Sequence, residues 1–259
     1  MKVIFIRYIV GKAGRKAVKS KLPTLLQNDM IDFTLANGEN AAGGFGITPQ
    51  IAESLLADDI DFLTSGNHVW DRKDIVEFME KENVLLRPAN YPEGVPGQGS
   101  ALLQTRTGLR VGVINVAGRI FMENLECPFR VALQESEKLR KSTPIIIVDM
   151  HAEATSEKKA LGWFLDGRVS AVIGTHTHVQ TADERILPEG TAYITDAGMS
   201  GSVDSVIGIK KEIAIQRFLT QFPKKFETAK HDIHLQGVII DIDNETGKSV
   251  NIQRFNLAV

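Results

Sequence analysis

Cysteine is almost missing from this chain: Cys127 is the single one among 259 residues. An intrachain disulfide and a thiolate metal cluster are therefore excluded, and the usage suits a reducing compartment, so a cytoplasmic protein is expected. An excess of one charge is also missing, because 30 basic and 32 acidic side chains leave a formal net charge of −2. Such a balance offers no polycationic footprint for duplex nucleic acid or an anionic membrane, while small or single-stranded substrates stay compatible. Long apolar runs are absent too. Val3 to Ile6 is cut short by Arg7 and Tyr8, well below the length of a signal core or a membrane span, and no targeting segment is expected. There is no repeat with a period of about 20–50 residues, no low-complexity tract and no Gly/Ser linker, so residues 1–259 are expected to form a single domain.

What the chain does have is apolar content, 43% of its residues, enough for a sizeable core. Apolar β-rich runs alternate with amphipathic helical stretches. Val3 to Ile6 reads as a strand, and Val18, Leu22, Leu25 and Leu26 follow at helical spacing. The run Ile31 to Ala36, a helix capped by Thr48 with Pro49 at its first position, and Phe62 to Thr64 repeat the order. Arg110 to Val116, Ile145 to Met150 and Ala171 to Gly174 read as further buried strands, with helices around Val131 to Arg140 and Ser156 to Leu165. Near the end, Gly237 to Asp243 and Ser249 to Phe255 flank the turn Asn244-Glu245-Thr246-Gly247, the signature of an antiparallel hairpin. An α/β layered fold follows. Arg87 to Gly99, rich in Pro and Gly, is the longest irregular segment.

The polar clusters fall at or just beyond the carboxyl ends of these strands, where open α/β sheets gather ligands and catalysts. They are Asn37-Gly38-Glu39-Asn40, Gly66-Asn67-His68, Asp149-Met150-His151 and Gly174-Thr175-His176-Thr177-His178. A dinuclear centre needs one ligand able to bridge two cations and several neutral donors. Glu39 is the natural bridge. Asn67 offers a carbonyl oxygen, and His151, His176 and His178 offer imidazole nitrogens, a mixed set suited to Fe, Mn or Zn and unsuited to calcium. His68, adjacent to Asn67, is placed to face substrate as a general acid. His231 and His234 sit in the polar entry to a late strand and are expected to be surface or packing residues. Gly43-Gly44-Phe45-Gly46 reads as a tight turn. Arg72, Arg119 and Arg185 are candidate phosphate contacts that more often prove to be solvated charges or structural ion pairs, and Trp70 and Trp163 are expected to pack against the core, with a base-binding wall as the alternative.

These blocks resemble the calcineurin-like metallophosphoesterases, with Gly66-Asn67-His68 matching their GNH block. More narrowly, Asn37 to Gly44, His151 to Lys158 and Gly174 to Asp183 look like the YmdB-type branch, and Arg87 to Pro92, Gly118-Arg119 with Phe121-Met122, and Tyr193 to Asp196 fit the same pattern. The match runs almost end to end. The resemblance implies a four-layer αββα sandwich of two mixed sheets flanked by helices. It further implies a binuclear centre of divalent or mixed-valence ions, Fe or Mn with Zn as a third choice. The activity implied is hydrolysis of small phosphodiesters such as 2′,3′-cyclic nucleotides by a hydroxide shared between the ions. It places Glu39 at the bridge, Asn40 beside it as a ligand or phosphate contact, Asn67, His151 and His176 on one metal, His178 on the other, and His68 as the catalytic histidine. A homo-oligomer is a family-level expectation.

The first block departs from the family. Members read approximately Phe-Ile-Gly-Asp-Val-Val-Gly, whereas this chain reads Phe5-Ile6-Arg7-Tyr8-Ile9-Val10-Gly11. The expected Asp, a ligand of the metal shared with His178, is Tyr8. Three readings stand: ligation by the phenol, one weak metal site, or a first motif altered from Gly-Asp. A phenol, whose unperturbed pKa is about 10, needs a strongly acidic metal to bind as phenolate. The alternative function is a catalytically weak nucleotide-binding or regulatory scaffold on the same fold.

Overall fold

The computed structural model describes residues 1–259. The first sheet takes its parallel half from β1 (Lys2–Ile6), β2 (Phe33–Asn37) and β3 (Phe62–Thr64). Between them run helices α1 (Gly11–Asp29) and α2 (Pro49–Ala57), and α3 (Ile75–Lys81) follows β3. Thr48 caps α2 by accepting from the Ile51 amide at 3.4 Å, with Pro49 at the first helical position, as its sequence predicts.

The second sheet is built from β4 (Ser100–Gln104), β5 (Arg110–Ala117), β6 (Ile146–His151), β7 (Ala171–Thr175), β8 (Arg185–Ile186) and β9 (Ala192–Ile194). Its spatial order is β4-β5-β6-β7-β9-β8. The strands β5, β6, β7 and β9 are parallel, and β4 and β8 close the edges antiparallel. Helices α4 (Pro128–Arg140) and α5 (Thr155–Phe164) cross between them. The chain then returns to the first sheet through β10 (Gly201–Ser202), α6 (Lys211–Thr220), and the hairpin β11 (Ile233–Ile242) and β12 (Ser249–Ala258). Strand β11 pairs antiparallel with β1, β10 and β12.

Alternation along the strands sorts the apolar side chains into layers. Val3, Phe5, Phe33, Leu35 and Phe62 face Val113, Ile147, Ile173 and Ile194 in a core between the two sheets. Ile4, Ile6 and Ala36 turn the other way and pack with Val18 and Leu22 of α1 and Leu55 of α2. On the far side, Ile114, Ile146, Val148 and Val172 pack with Ala132 and Leu139 of α4 and Leu161 of α5. The result is the expected four-layer αββα sandwich. Both faces of each parallel region are buried, which is why those strands read as continuous apolar runs.

Some elements differ from expectation. The β4 edge strand is half exposed and β8 and β10 are only two residues long, too short for any period to show. Trp163 is 56% exposed on α5, not packed in the core; the inner face of that helix is taken by Leu161 and by the buried polar pair Glu157 and Lys158. Trp70 does pack against the α-helical layer of the first sheet. No helix is long and apolar enough to cross a membrane.

Candidate metal centre and catalytic pocket

Every strand of the two parallel regions except β5 delivers a polar group at the same edge. Arg7 and Tyr8 follow β1, Glu39 and Asn40 follow β2, and Asn67 and His68 follow β3. From the opposite sheet come His151 at the end of β6, His176 and His178 after β7, and Asp196 after β9. Neither sheet alone holds the constellation.

Asp149 ties the two sheets together beneath it. Its buried carboxylate accepts from Thr64 Oγ1 at 2.5 Å, Thr175 Oγ1 at 2.6 Å and Asn37 Nδ2 at 3.0 Å. Three strands are thereby fixed against β6. Asn37 also turns its Oδ1 to the Glu39 amide at 3.2 Å, which sets the direction of the loop carrying Glu39.

Around His151 Nε2 the donors converge. Asn67 Oδ1 lies 2.8 Å away, His176 Nδ1 3.1 Å and Glu39 Oε2 3.3 Å. Oxygen and nitrogen ligands about 2.0–2.2 Å from one ion stand at comparable separations from each other, so this half of the site fits a metal. Burial keeps the imidazoles neutral, the form that ligates: the His151 pKa falls well below the usual range, and that of His176 falls to about 4. Gly66 is required for the approach, since a Cβ there would lie 2.2 Å from His151 Cε1.

The half nearest His178 is arranged differently. Tyr8 is fully buried in left-handed backbone (φ 28°), and its hydroxyl donates to Glu39 Oε2 at 2.5 Å. Its ring centroid stands 4.0 Å from that of His178. His178 is pushed down to about 3 by burial, its Nε2 lies 3.4 Å from Asn40 Nδ2, and its Nδ1 is 2.9 Å from the Ile207 carbonyl. The buried Asn40 Oδ1 has no partner. An aromatic ring packed on His178, with its hydroxyl on the carboxylate meant to bridge, leaves this second position unfit for an ion as the side chains stand. The acidic and imidazole side chains alone form no set of three arranged to hold an ion; the first position depends on Asn67 as well as Glu39, His151 and His176. Burial of Tyr8 beside Glu39 raises the phenol well above its ordinary pKa, which disfavours phenolate ligation. Glu39 itself is raised by burial to about 7, although hydrogen bonds from Tyr8 and the His68 amide hold it down.

Arg7 does not enter the site. Fully buried, it pairs with Asp196, which also accepts from Lys158 Nζ at 3.3 Å and the Thr177 amide at 3.1 Å. Thr177 lies between His176 and His178, whose backbones are both left-handed (φ 97° and 60°). The Asp196 network thus fixes the unusual loop that aims both imidazoles, a role that no motif spacing reveals. Glu153, 3.0 Å from His176 Nε2, was likewise hidden inside the His151 to Lys158 run.

His68 stands at the wall of a cavity of about 590 Å³ that also reaches Tyr8, Asn40, His176 and His178. Its amide donates to Glu39 Oε1 at 2.5 Å, and its Nδ1 lies 2.9 Å from Asp71 Oδ2. That contact orients the ring and leaves Nε2 for a substrate. Of the candidate phosphate contacts, Arg72 is spent on the Ala42 carbonyl at 2.7 Å and the Phe45 carbonyl at 3.2 Å. Neither Arg119 nor Arg185 lines the cavity. His234 is held by Asn256 at 2.6 Å, outside the site.

The chain matches the YmdB-like protein family over residues 4–255. It belongs to that family. A Bacillus subtilis member described as a 2′,3′-cyclic-nucleotide 2′-phosphodiesterase is 50% identical over 254 residues, covering 98% of this chain and 96% of the relative. Among solved structures, a hypothetical protein from Thermus thermophilus superposes with a TM-score of 0.93 at 39% identity, covering 100% of this chain and 99% of the other. A Mycoplasma pneumoniae protein described as a novel phosphatase gives 0.93 at 33% identity, covering 100% and 93%. The YmdB-like fold and the edge at which its polar residues gather were both expected from the motifs.

Proposed function

We propose that this chain is a metal-dependent phosphodiesterase acting on small esters of the 2′,3′-cyclic nucleotide type. The observation that carries the reading is the convergence of Glu39, Asn67, His151 and His176, with His176 opening onto the same cavity as His68. Those four residues would hold one ion, of the Fe or Mn kind. When bound, such an ion supplies Lewis acidity toward phosphoryl oxygens and lowers the pKa of water.

The residues divide the remaining work. The cavity admits the diester so that its phosphate lies among His68, His176 and Asn40. Asp71 holds the His68 ring, and His68 passes an Nε2 proton to the departing ribose oxygen as a water oxygen bonds to phosphorus and the phosphorus–ribose bond breaks, the attacking water giving up one proton to solvent. Glu39, anchored by the His68 amide, keeps acid and ion in fixed register.

Tyr8 favours a second reading, a nucleotide-binding scaffold with feeble turnover, because its hydroxyl bonds Glu39 Oε2, the oxygen that stands 3.3 Å from His151 Nε2, and its ring packs on His178. Hydrolysis of a 2′,3′-cyclic nucleotide by the Mn- or Fe-loaded protein decides between them. The enzyme reading expects turnover that falls by about 10²–10⁴-fold in His68→Ala while the thermal unfolding curve is kept. Nucleotide binding with no metal-dependent turnover would establish the scaffold instead.

A further inference from the structure

Beside the proposed catalytic groups the cavity is lined by an apolar set, Phe45, Ile209, Phe218 and Phe226, accompanied by Arg217 and Gln221. The volume of about 590 Å³ lies within the range of small-molecule sites, about 300–1,000 Å³. Phe45 and Phe226 are near-parallel, with centroids 6.3 Å apart and planes 23° from each other. The Arg217 guanidinium sits over the Phe226 ring at 4.5 Å. Phe45 in turn meets His68 edge-on at 5.2 Å, so the aromatic wall begins where the proposed acid ends.

The glycine loop before α2 holds Phe45 in that place. Gly44 and Gly46 are left-handed (φ 102° and 72°), and Arg72 clamps the loop through the carbonyls of Ala42 and Phe45. Phe45 is 36% exposed and Phe218, on the same cavity, is 76% exposed, so apolar ring surface stands open beside the polar groups.

We infer that this wall is a nucleobase subsite, in which the base of a mononucleotide stacks on Phe45 and Phe226 while its phosphate reaches His68. The inference rests on the phosphodiesterase reading and deepens it. Whatever is attached to the sugar whose oxygen leaves phosphorus beside His68 must lie along the same cavity, and a planar base matches paired aromatic faces next to a guanidinium. Stacking accepts any base, because each has a π face, so the subsite selects nucleotides over base-free phosphates without choosing among bases.

Isothermal titration of the purified protein with adenosine 3′-monophosphate and with base-free glycerol 2-phosphate tests it. The nucleotide binds more tightly to the wild type, and Phe226→Leu shrinks the ratio of the two affinities by about tenfold to a hundredfold, while Phe226→Tyr keeps it. Phe45→Leu, on a separate loop, gives the same loss and guards against a folding defect at one position. An unchanged ratio in both Leu variants, or equal affinities for the two probes in the wild type, overturns the inference. Failure of the phosphodiesterase reading looks different, as absent turnover of any cyclic diester with the binding ratio intact.

Discussion

Replacing Tyr8 by Asp should trade a packing loss for a metal site. Tyr8 is 0% exposed, its hydroxyl bonds Glu39 at 2.5 Å, and its ring lies 4.0 Å from His178. Removing a buried aromatic ring costs about 3–5 kcal/mol. The new carboxylate would also stand beside Glu39, already raised to about 7 by burial. At about 2–4 °C per kcal/mol for a chain of this size, Tm in the presence of chelator should drop by about 6–20 °C. An ion supplied at a hundredfold excess over its Kd returns about 2.7 kcal/mol, which restores about 5–11 °C. Elemental analysis should then find one more ion per chain in Tyr8→Asp than in wild type, and scanning fluorimetry should find the larger metal-induced rise in Tm in the variant. Equal metal content in the two proteins would refute the argument that the Tyr8 ring displaces the second ion.

Two further outcomes follow from the site. His151, His176 and His178 have folded pKa values below the unfolded value of about 6.5, so between about pH 4.5 and 6 the unfolded chain binds up to three protons that the native state does not; Glu39 and Asp149, raised by burial, bind one or two in the opposite sense. The metal-free protein should therefore lose about 1.4–2.7 kcal/mol per pH unit on acidification through that window, and a urea midpoint that is flat in pH would contradict it. Gly66→Ala, whose Cβ would overlap the His151 ring, should leave the fold standing and weaken metal affinity by about 10–100-fold, measured by competition with a chelating dye.

The layered fold could be read from the chain because burial on both faces writes unbroken apolar runs such as Ile146 to Met150, and because caps such as Thr48-Pro49 mark helix starts. The metal-ligand candidates were legible for a related reason: each had to stand where a strand ends. What escaped the sequence depends on distant partners. Asp196 acquires its role from Arg7, Lys158 and Thr177, all distant in the chain. Trp163 looked like a core residue, but α5 spends its inner face on Lys158, which reaches that same carboxylate. Tyr8 could be flagged as a departure, yet that its ring would tuck against His178 and its hydroxyl bind Glu39 required the packed site.

Because half of the constellation rides on each sheet, the layer of Val3, Phe5, Val113 and Ile147 between them acts as the site's ruler as well as its foundation. A methylene lost in that layer costs about 1 kcal/mol of stability, and it also slides Glu39 and Asn67 relative to His151 and His176, whose separations of 2.8–3.3 Å leave little room for displacement. Interior residues far from any substrate are therefore answerable to chemistry, and in this molecule the tolerance of the core to substitution should be narrower for activity than for folding.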